Sequence, residues 1–212
     1  RQSIRNYRAC FVAGVISDSI SQAKGRLDID YSKFANSINM EWTECVNATS
    51  GYLNALNLPH QFDLYKECFD PTQKQVVIIS DALRYEVGVQ LFAELGKKKH
   101  VATLKPMIAS LPTETKYCKP ELFPHNTLAL AGTETEVDGT VLSSKALRTA
   151  QLQKFCPDAD CVSYKDLMKM SNLASKRDFF KKSLVYILHD SIDRDGHDSD
   201  LPQACESAVK EL

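Results

Sequence analysis

Apolar positions in the first sixty residues recur at helical intervals. Tyr7, Cys10, Phe11, Val15 and Ile16 fall on one stripe, and Phe34, Ile38, Trp42, Val46 and Leu53 on another. The tract has almost no proline, so long helices are allowed until Leu58-Pro59-His60 breaks the pattern. The period then changes. KQVVIIS, ending at Ser80, is an apolar β-former run of the kind buried in parallel sheets, and Asp81 follows it directly. ALRYEVGVQLFAELGKKK returns to helical spacing at Leu83, Val87, Gln90, Leu91 and Leu95, with Gly96 and the lysines as a stop.

VATLKPMIASLP predicts a second strand ending at Pro112, and TETKYCKPELFP a turn and short helix cut by Pro120. A short strand is expected over Thr127 to Leu130, and a polar, glycine-punctuated loop over AGTETEVDGTVLSS. Lys145 to Phe155 reads as a helix, Ala159 to Ser163 as a short strand and Tyr164 to Met170 as a short helix. A charged helix around Lys176 to Lys182 precedes SLVYILH, the third clear buried strand. DSIDRDGHDSD is expected to be an acidic loop, and a helix begins at Pro202, where the missing N–H costs little. Strands alternating with helices predict an α/β fold with a doubly wound, mostly parallel sheet over residues 71–212, preceded by an α-helical region over 1–70. In such sheets ligands gather at the carboxyl ends of the strands.

Composition narrows the function without naming it. A chain of 212 residues, 43% hydrophobic and 25% charged, suits one sizeable soluble α/β domain or a smaller one with a helical extension. A net charge of −1 excludes a whole-protein basic footprint for nucleic acid, though not a local basic cleft. No apolar stretch reaches bilayer-spanning length, and none reads as a signal peptide. Seven scattered cysteines, an odd number, are expected to be reduced thiols in a cytoplasm. Cys156 and Cys161 lack the CxxC zinc spacing and read as structural. The chain opens on Arg1 and ends in AVKEL, which reads as mid-helix, so it is expected to be an internal piece of a longer protein.

Three groups of chemistry-bearing residues follow strands: Asp81 after VVIIS; Thr113 and Thr115 after the strand expected to end near Ser110; His189, Asp193 and His197 after LVYIL. Each has a plain alternative. An aspartate after a strand often caps the next helix, and a threonine often caps or turns. The acidic segment could be a solvated loop; it lacks the spacing and terminal Glu of an EF-hand. Together, a carboxylate, a hydroxyl at a helix start and a D-x-x-x-H pair suit a divalent-metal phosphoryl-transfer site. Carboxylate and imidazole are the ligands such a metal takes, and a hydroxyl needs its pKa lowered before it attacks phosphorus.

From Gln75 to Leu212 the chain resembles the PglZ family, particularly the form found in bacterial BREX phage-defence systems. The segments VVIISDALRYEVGVQL, SLPTETKY, ELFPHNTLAL, the VDG of EVDGTVLS, and SLVYILHDSIDRDGH match the family pattern in order, SDALRYE being the most specific. The resemblance implies an alkaline phosphatase-like fold and a metal-dependent phosphatase or phosphodiesterase. PTET is similar to the PTxT motif whose second threonine is the nucleophile, which places that role on Thr115. IDRDGH is similar to a DxxxGH metal motif and supplies Asp193 and His197; Asp81 matches the metal-binding carboxylate after the first strand. His189 sits at a Tyr-His-Asn-like position with Asp190 in place of Asn, and is expected either to contact substrate or to support the ligands. Arg84 and Lys116 are candidate phosphate partners.

The resemblance implies two divalent ions, zinc first and manganese second. It implies a phosphate ester or phosphodiester substrate (nucleotide or nucleic acid included) and partners among other defence-system proteins. A later Asp-His-Gly that completes such sites is expected beyond Leu212, leaving this chain half a site and inactive alone. The rival reading is a catalytically inactive scaffold in a defence complex.

Overall fold

The computed structural model describes residues 18–49, 51, 56–198 and 201–212. The first predicted stripe, Tyr7 to Ile16, and Leu53 of the second lie outside the described residues. The chain divides into two units, Arg1–Asn57 and Leu58–Leu212. Among its described residues the first holds one long helix, α1 (Asp18–Ala48), as the apolar spacing predicts. No residue of α1 is buried, and Phe34, Ile38 and Trp42 of its stripe are exposed.

The second unit runs α2 (Leu64–Cys68), β1 (Gln75–Ser80), α3 (Tyr85–Lys97), α4 (Thr115–Glu121), β2 (Leu128–Ala131), β3 (Glu134–Val137), β4 (Thr140–Val141), α5 (Lys145–Phe155), β5 (Ala159–Ser163), α6 (Tyr164–Lys169), α7 (Leu173–Phe179), β6 (Leu184–His189), α8 (Ser191–Asp198) and α9 (Leu201–Glu211). The parallel sheet has the order β1-β6-β5. Its central strand β6 is buried at all six positions, which is why LVYILH reads as an unbroken apolar run. The register pairs Ser80 with His189, so β1 and β6 end together.

Side chains of β6 alternate between two layers, as the pleat requires. Leu184, Tyr186 and Leu188 enter a core with Ile79, Phe123 and Leu152, whereas Val185 and Ile187 pack with Val162, Leu167 and Phe179. A third cluster joins Val87 of α3 to Ile192 of α8 and Ala208 and Val209 of α9. Helices therefore cover both faces of the sheet, the α/β arrangement predicted.

Three expectations fail. Residues 101–112 form no strand; the segment makes one isolated parallel bridge, His60 with Ile108. Pro106 lacks the N–H a ladder needs and Val101 is fully exposed, so pairing is confined to Ile108, whose N–H donates to Pro59 O at 2.9 Å. The expected polar loop over 131–144 holds a hairpin, β3–β4, that extends β2 into a second, antiparallel sheet. Its two-residue turn is Asp138-Gly139, with φ of 49° and 76°, the positive pair that a type I′ turn demands. The acidic segment is helix α8, not a loop. Ile192, 1% exposed, anchors it, and Arg194 pairs with Asp190 at 2.9 Å one turn back.

Candidate functional site

Asp81 owes its position to the sheet. Its backbone N–H donates to His189 O at 2.8 Å, carrying the β1–β6 ladder one residue past the strand. Ala82 then turns the chain with φ of 60°. The capping reading of Asp81 does not hold. The N-cap of α3 is Arg84, three residues on, with no side-chain cap bond, and the Asp81 carboxylate points elsewhere. Thr115 likewise does not cap: it is the first residue of α4, whose N-cap is Glu114.

The two side chains meet each other instead. Thr115 Oγ1 donates to Asp81 Oδ1 at 3.3 Å, and Lys119 Nζ donates to Asp81 Oδ2 at 2.8 Å. Thr115 and Lys119 are one helical turn apart, which puts both on the face of α4 that looks at Asp81. The ion pair is largely enclosed, with side-chain exposures of 23% for Lys119 and 14% for Asp81. Lys119 is a site residue that sequence reasoning missed; its i+4 relation to Thr115 was the available signal.

Asp81 and Thr115 open into a recess of about 690 Å³ that Ser80, Arg84, Thr113 and Lys119 also line, with Leu83, Leu104 and Met107 among its apolar walls. Lys116 faces a separate, smaller recess, where its Nζ lies 3.3 Å from Glu114 and over the Tyr117 ring. The hydrogen bond and charge of Glu114 raise the Lys116 pKa above the ordinary lysine value.

Asp193 and His197 come together on α8, one turn apart, with His197 Nε2 3.7 Å from Asp193 Oδ1. Both are accessible, at 79% for His197 and 44% for Asp193. Because α8 starts two residues after β6, it leaves the same sheet edge that carries Asp81. Among the described residues, no cluster of three or more His, Cys, Asp and Glu side chains that could hold a metal ion is formed. The donor chemistry nevertheless fits a cation in two places. Asp81 already binds one, the Lys119 ammonium, and the Asp193–His197 pair offers an oxygen and a nitrogen close enough to share one ion.

His189 is wholly enclosed, at 0% exposure, and does not reach the recess. Its Nδ1 pairs with Ser80 Oγ at 2.8 Å and its Nε2 with Glu211 Oε2 at 2.8 Å, while Tyr164 packs edge-on at 5.0 Å. Ser191 Oγ donates to the same Glu211 oxygen at 2.6 Å. Buried in this way, His189 does not line the larger recess. Burial alone would raise the Glu211 pKa, but the bonds from Ser191 and His189 outweigh it and hold the carboxyl below its usual range. The network ties the last turn of α9 to the end of β6, beside the backbone carbonyl that fixes Asp81. No spacing in the sequence connects Glu211 to His189, twenty-two residues away.

Among the described cysteines, Cys118 lines the larger recess beside Thr115 and Lys119. Those described are all free, Cys156 and Cys161 lie in the core, and burial pushes the Cys161 thiol up to about 11. No described helix is long and apolar enough to cross a membrane.

Comparison with known proteins gives the family. The family described as "BREX system PglZ alkaline phosphatase-like domain" matches residues 64–212, from α2 through α9. The chain is 27% identical over 190 residues to an alkaline phosphatase-like protein PglZ of Bacillus cereus (strain H3081.97), covering 84% of this chain and 22% of that protein. It is 29% identical over 169 residues to an alkaline phosphatase-like protein BrxZ of Escherichia coli O9:H4 (strain HS), covering 73% of this chain and 19% of that protein. The chain thus spans about a fifth of the length of these relatives. No solved structure matches it. The match takes in both strand ends, Thr115 and α8, and on it the chain belongs to the PglZ family of alkaline phosphatase-like domains.

Proposed function

We propose that this chain carries the nucleophile side of a metal-dependent phosphatase or phosphodiesterase acting in bacterial phage defence. The observation that supports the reading most is the Thr115–Asp81 contact on an open recess. Both residues forgo the capping role that would otherwise account for them, and they meet at the carboxyl edge of the sheet. The family relation, whose description names the BREX system, supports the defence setting and partners among other proteins of such a system.

In this reading Thr115 Oγ1 attacks phosphorus. An oxygen–phosphorus bond forms at Thr115 as the bond to the leaving oxygen breaks, and the hydroxyl proton leaves toward Asp81 Oδ1, its acceptor in the structure. Water then releases the phosphoryl or nucleotidyl group and restores the threonine. Asp81 and Thr115 would hold one divalent ion, and Asp193 and His197 a second. Zinc is the first choice for a carboxylate–imidazole pair, and manganese the second. When bound, such ions supply the positive charge that lowers the hydroxyl pKa and neutralises the phosphate oxygens. Arg84, at the mouth of the larger recess, is placed to meet a phosphate oxygen, and His189 positions Asp81 through the strand it terminates.

One observation favours a second reading, an inactive scaffold: the Lys119 ammonium already satisfies Asp81. The test is phosphodiester hydrolysis by the full-length protein with added zinc or manganese, compared with Thr115→Ala. Metal-dependent turnover lost in the variant supports the enzyme. A folded, metal-supplied protein without turnover supports the scaffold.

A further inference from the structure

Thr115 stands on the rim of two recesses, and only the larger contains Asp81. The smaller, about 280 Å³, lies between α4 and the β2–β3–β4 sheet with the loop that leads to α5. Three cations line it, Lys116, Lys119 and Arg148, against the single carboxylate of Glu134. Two of the three are engaged elsewhere, Lys116 with Glu114 and Lys119 with Asp81.

Arg148 is held differently. Its Nε donates to Leu142 O at 2.9 Å and its Nη2 to Ser143 O at 3.4 Å. Both partners are neutral carbonyls, and among the described residues no ion pair neutralises the guanidinium. Carbonyl anchors fix its plane while leaving its charge, the state in which an arginine recognises a phosphate. The hydroxyls of Thr115, Thr135 and Ser143 share the lining, and Phe123 and Leu142 give it an apolar floor. The recess thus suits a group with an anionic end and an organic face, within one side chain's width of the proposed nucleophile.

We propose that this recess is a subsite for a second phosphate of the same substrate, so that the site selects organic phosphates bearing two phosphoryl groups over simple monoesters. The proposal rests on the reading of Thr115 as the reacting residue only for its catalytic consequence; the binding it asserts is separate. It assigns the β2–β4 sheet a role as the wall of a substrate site, and Arg148 as a specificity residue that touches substrate rather than reacting with it.

The test uses the full-length protein and a nitrophenyl thymidylate with and without a second phosphate on the sugar. The doubly phosphorylated ester is expected to have a KM lower by about tenfold, the scale of one charge-assisted contact. Arg148→Ala is expected to erase that ratio. Glu134→Gln, an exposed change that removes the opposing charge, is expected to widen it, and this variant serves if Arg148→Ala does not fold. Equal KM values in the wild type, or a ratio indifferent to both changes, overturn the proposal. Calorimetric binding of thymidine bisphosphate and monophosphate to the Thr115→Ala variant separates it from the reaction. A bisphosphate preference that depends on Arg148 upholds the subsite even if Thr115 is not the nucleophile. Equal binding of the two nucleotides, with turnover lost in Thr115→Ala, sinks the subsite alone.

Discussion

Replacing Lys119 by Met should tighten divalent-metal binding. In the structure the ammonium lies 2.8 Å from Asp81 Oδ2, and both side chains are mostly enclosed. A metal taking that oxygen must first displace the lysine. At an effective dielectric of about 20, charges about 4 Å apart attract by roughly 4 kcal/mol. Desolvation and the ordering of a long side chain cancel most of that, leaving a net of about 1–1.5 kcal/mol for a partly buried pair. Methionine keeps the length and apolar packing of the stem and removes the competitor, so affinity should rise about tenfold, 1.4 kcal/mol being one decade. Titration calorimetry of zinc or manganese into the full-length protein and Lys119→Met measures this directly, with circular dichroism to show that the fold is kept. Asp81→Asn provides the opposite sign, a loss of affinity. Unchanged or weaker binding in a folded Lys119→Met protein would refute the view that the lysine occupies a cation position.

Four other perturbations follow from the structure. Asp138 accepts from the N–H groups of Asn126 and Thr127 and from Gln151, and although burial opposes ionisation these bonds bring its pKa from 3.8 to about 2. Its folded pKa is depressed, so its stabilisation is present above pH 3.8 and lost between there and about 2. The shift corresponds to at most about 2.4 kcal/mol, and Asp138→Asn should cost about 1–2 kcal/mol after allowance for solvent, measured by urea unfolding at neutral pH and shrinking in acid. His189→Ala should cost about 2–3 kcal/mol by stranding Ser80 and Glu211, seen as a lower Tm; a smaller loss in a variant that keeps its metal affinity would argue against a positioning role. Gly139→Val, at a φ of 76°, should cost at least about 1 kcal/mol and disturb the recess that the hairpin walls, whereas Gly25→Ala in the exposed face of α1 should stabilise slightly.

Much of the fold was legible where burial dominated. β6 is apolar throughout because it is the central strand, α5 has a clear start because Ser144 caps it, and Ala159, Cys161 and Val162 give β5 its buried positions. The misreadings came from weaker signals. VATLKPMIASLP has strand composition, but Pro106 and an exposed Val101 deny it a ladder. The Asp138-Gly139 turn was visible as a dipeptide, yet the threonines and glutamates beside it masked a hairpin with only one buried face. α8 looked like a loop because its four acidic or glycine residues hide the one apolar anchor, Ile192.

The site was legible in part for the same reason. Asp81, Asp193 and His197 follow strand ends as read, whereas Thr115 follows no strand and meets Asp81 from the start of α4. Arg148 and Glu211 make contacts that no short spacing records, and Lys119 left only its i+4 relation to Thr115.

The most direct test of the central claim is to quench the full-length protein during turnover of a phosphodiester, with metal supplied, and map adducts by peptide mass spectrometry. The account predicts a phosphoryl or nucleotidyl group on the peptide carrying Thr115, absent from Thr115→Ala, which should not turn over. Metal-dependent turnover that persists in Thr115→Ala, with no adduct on that peptide in either protein, would contradict it.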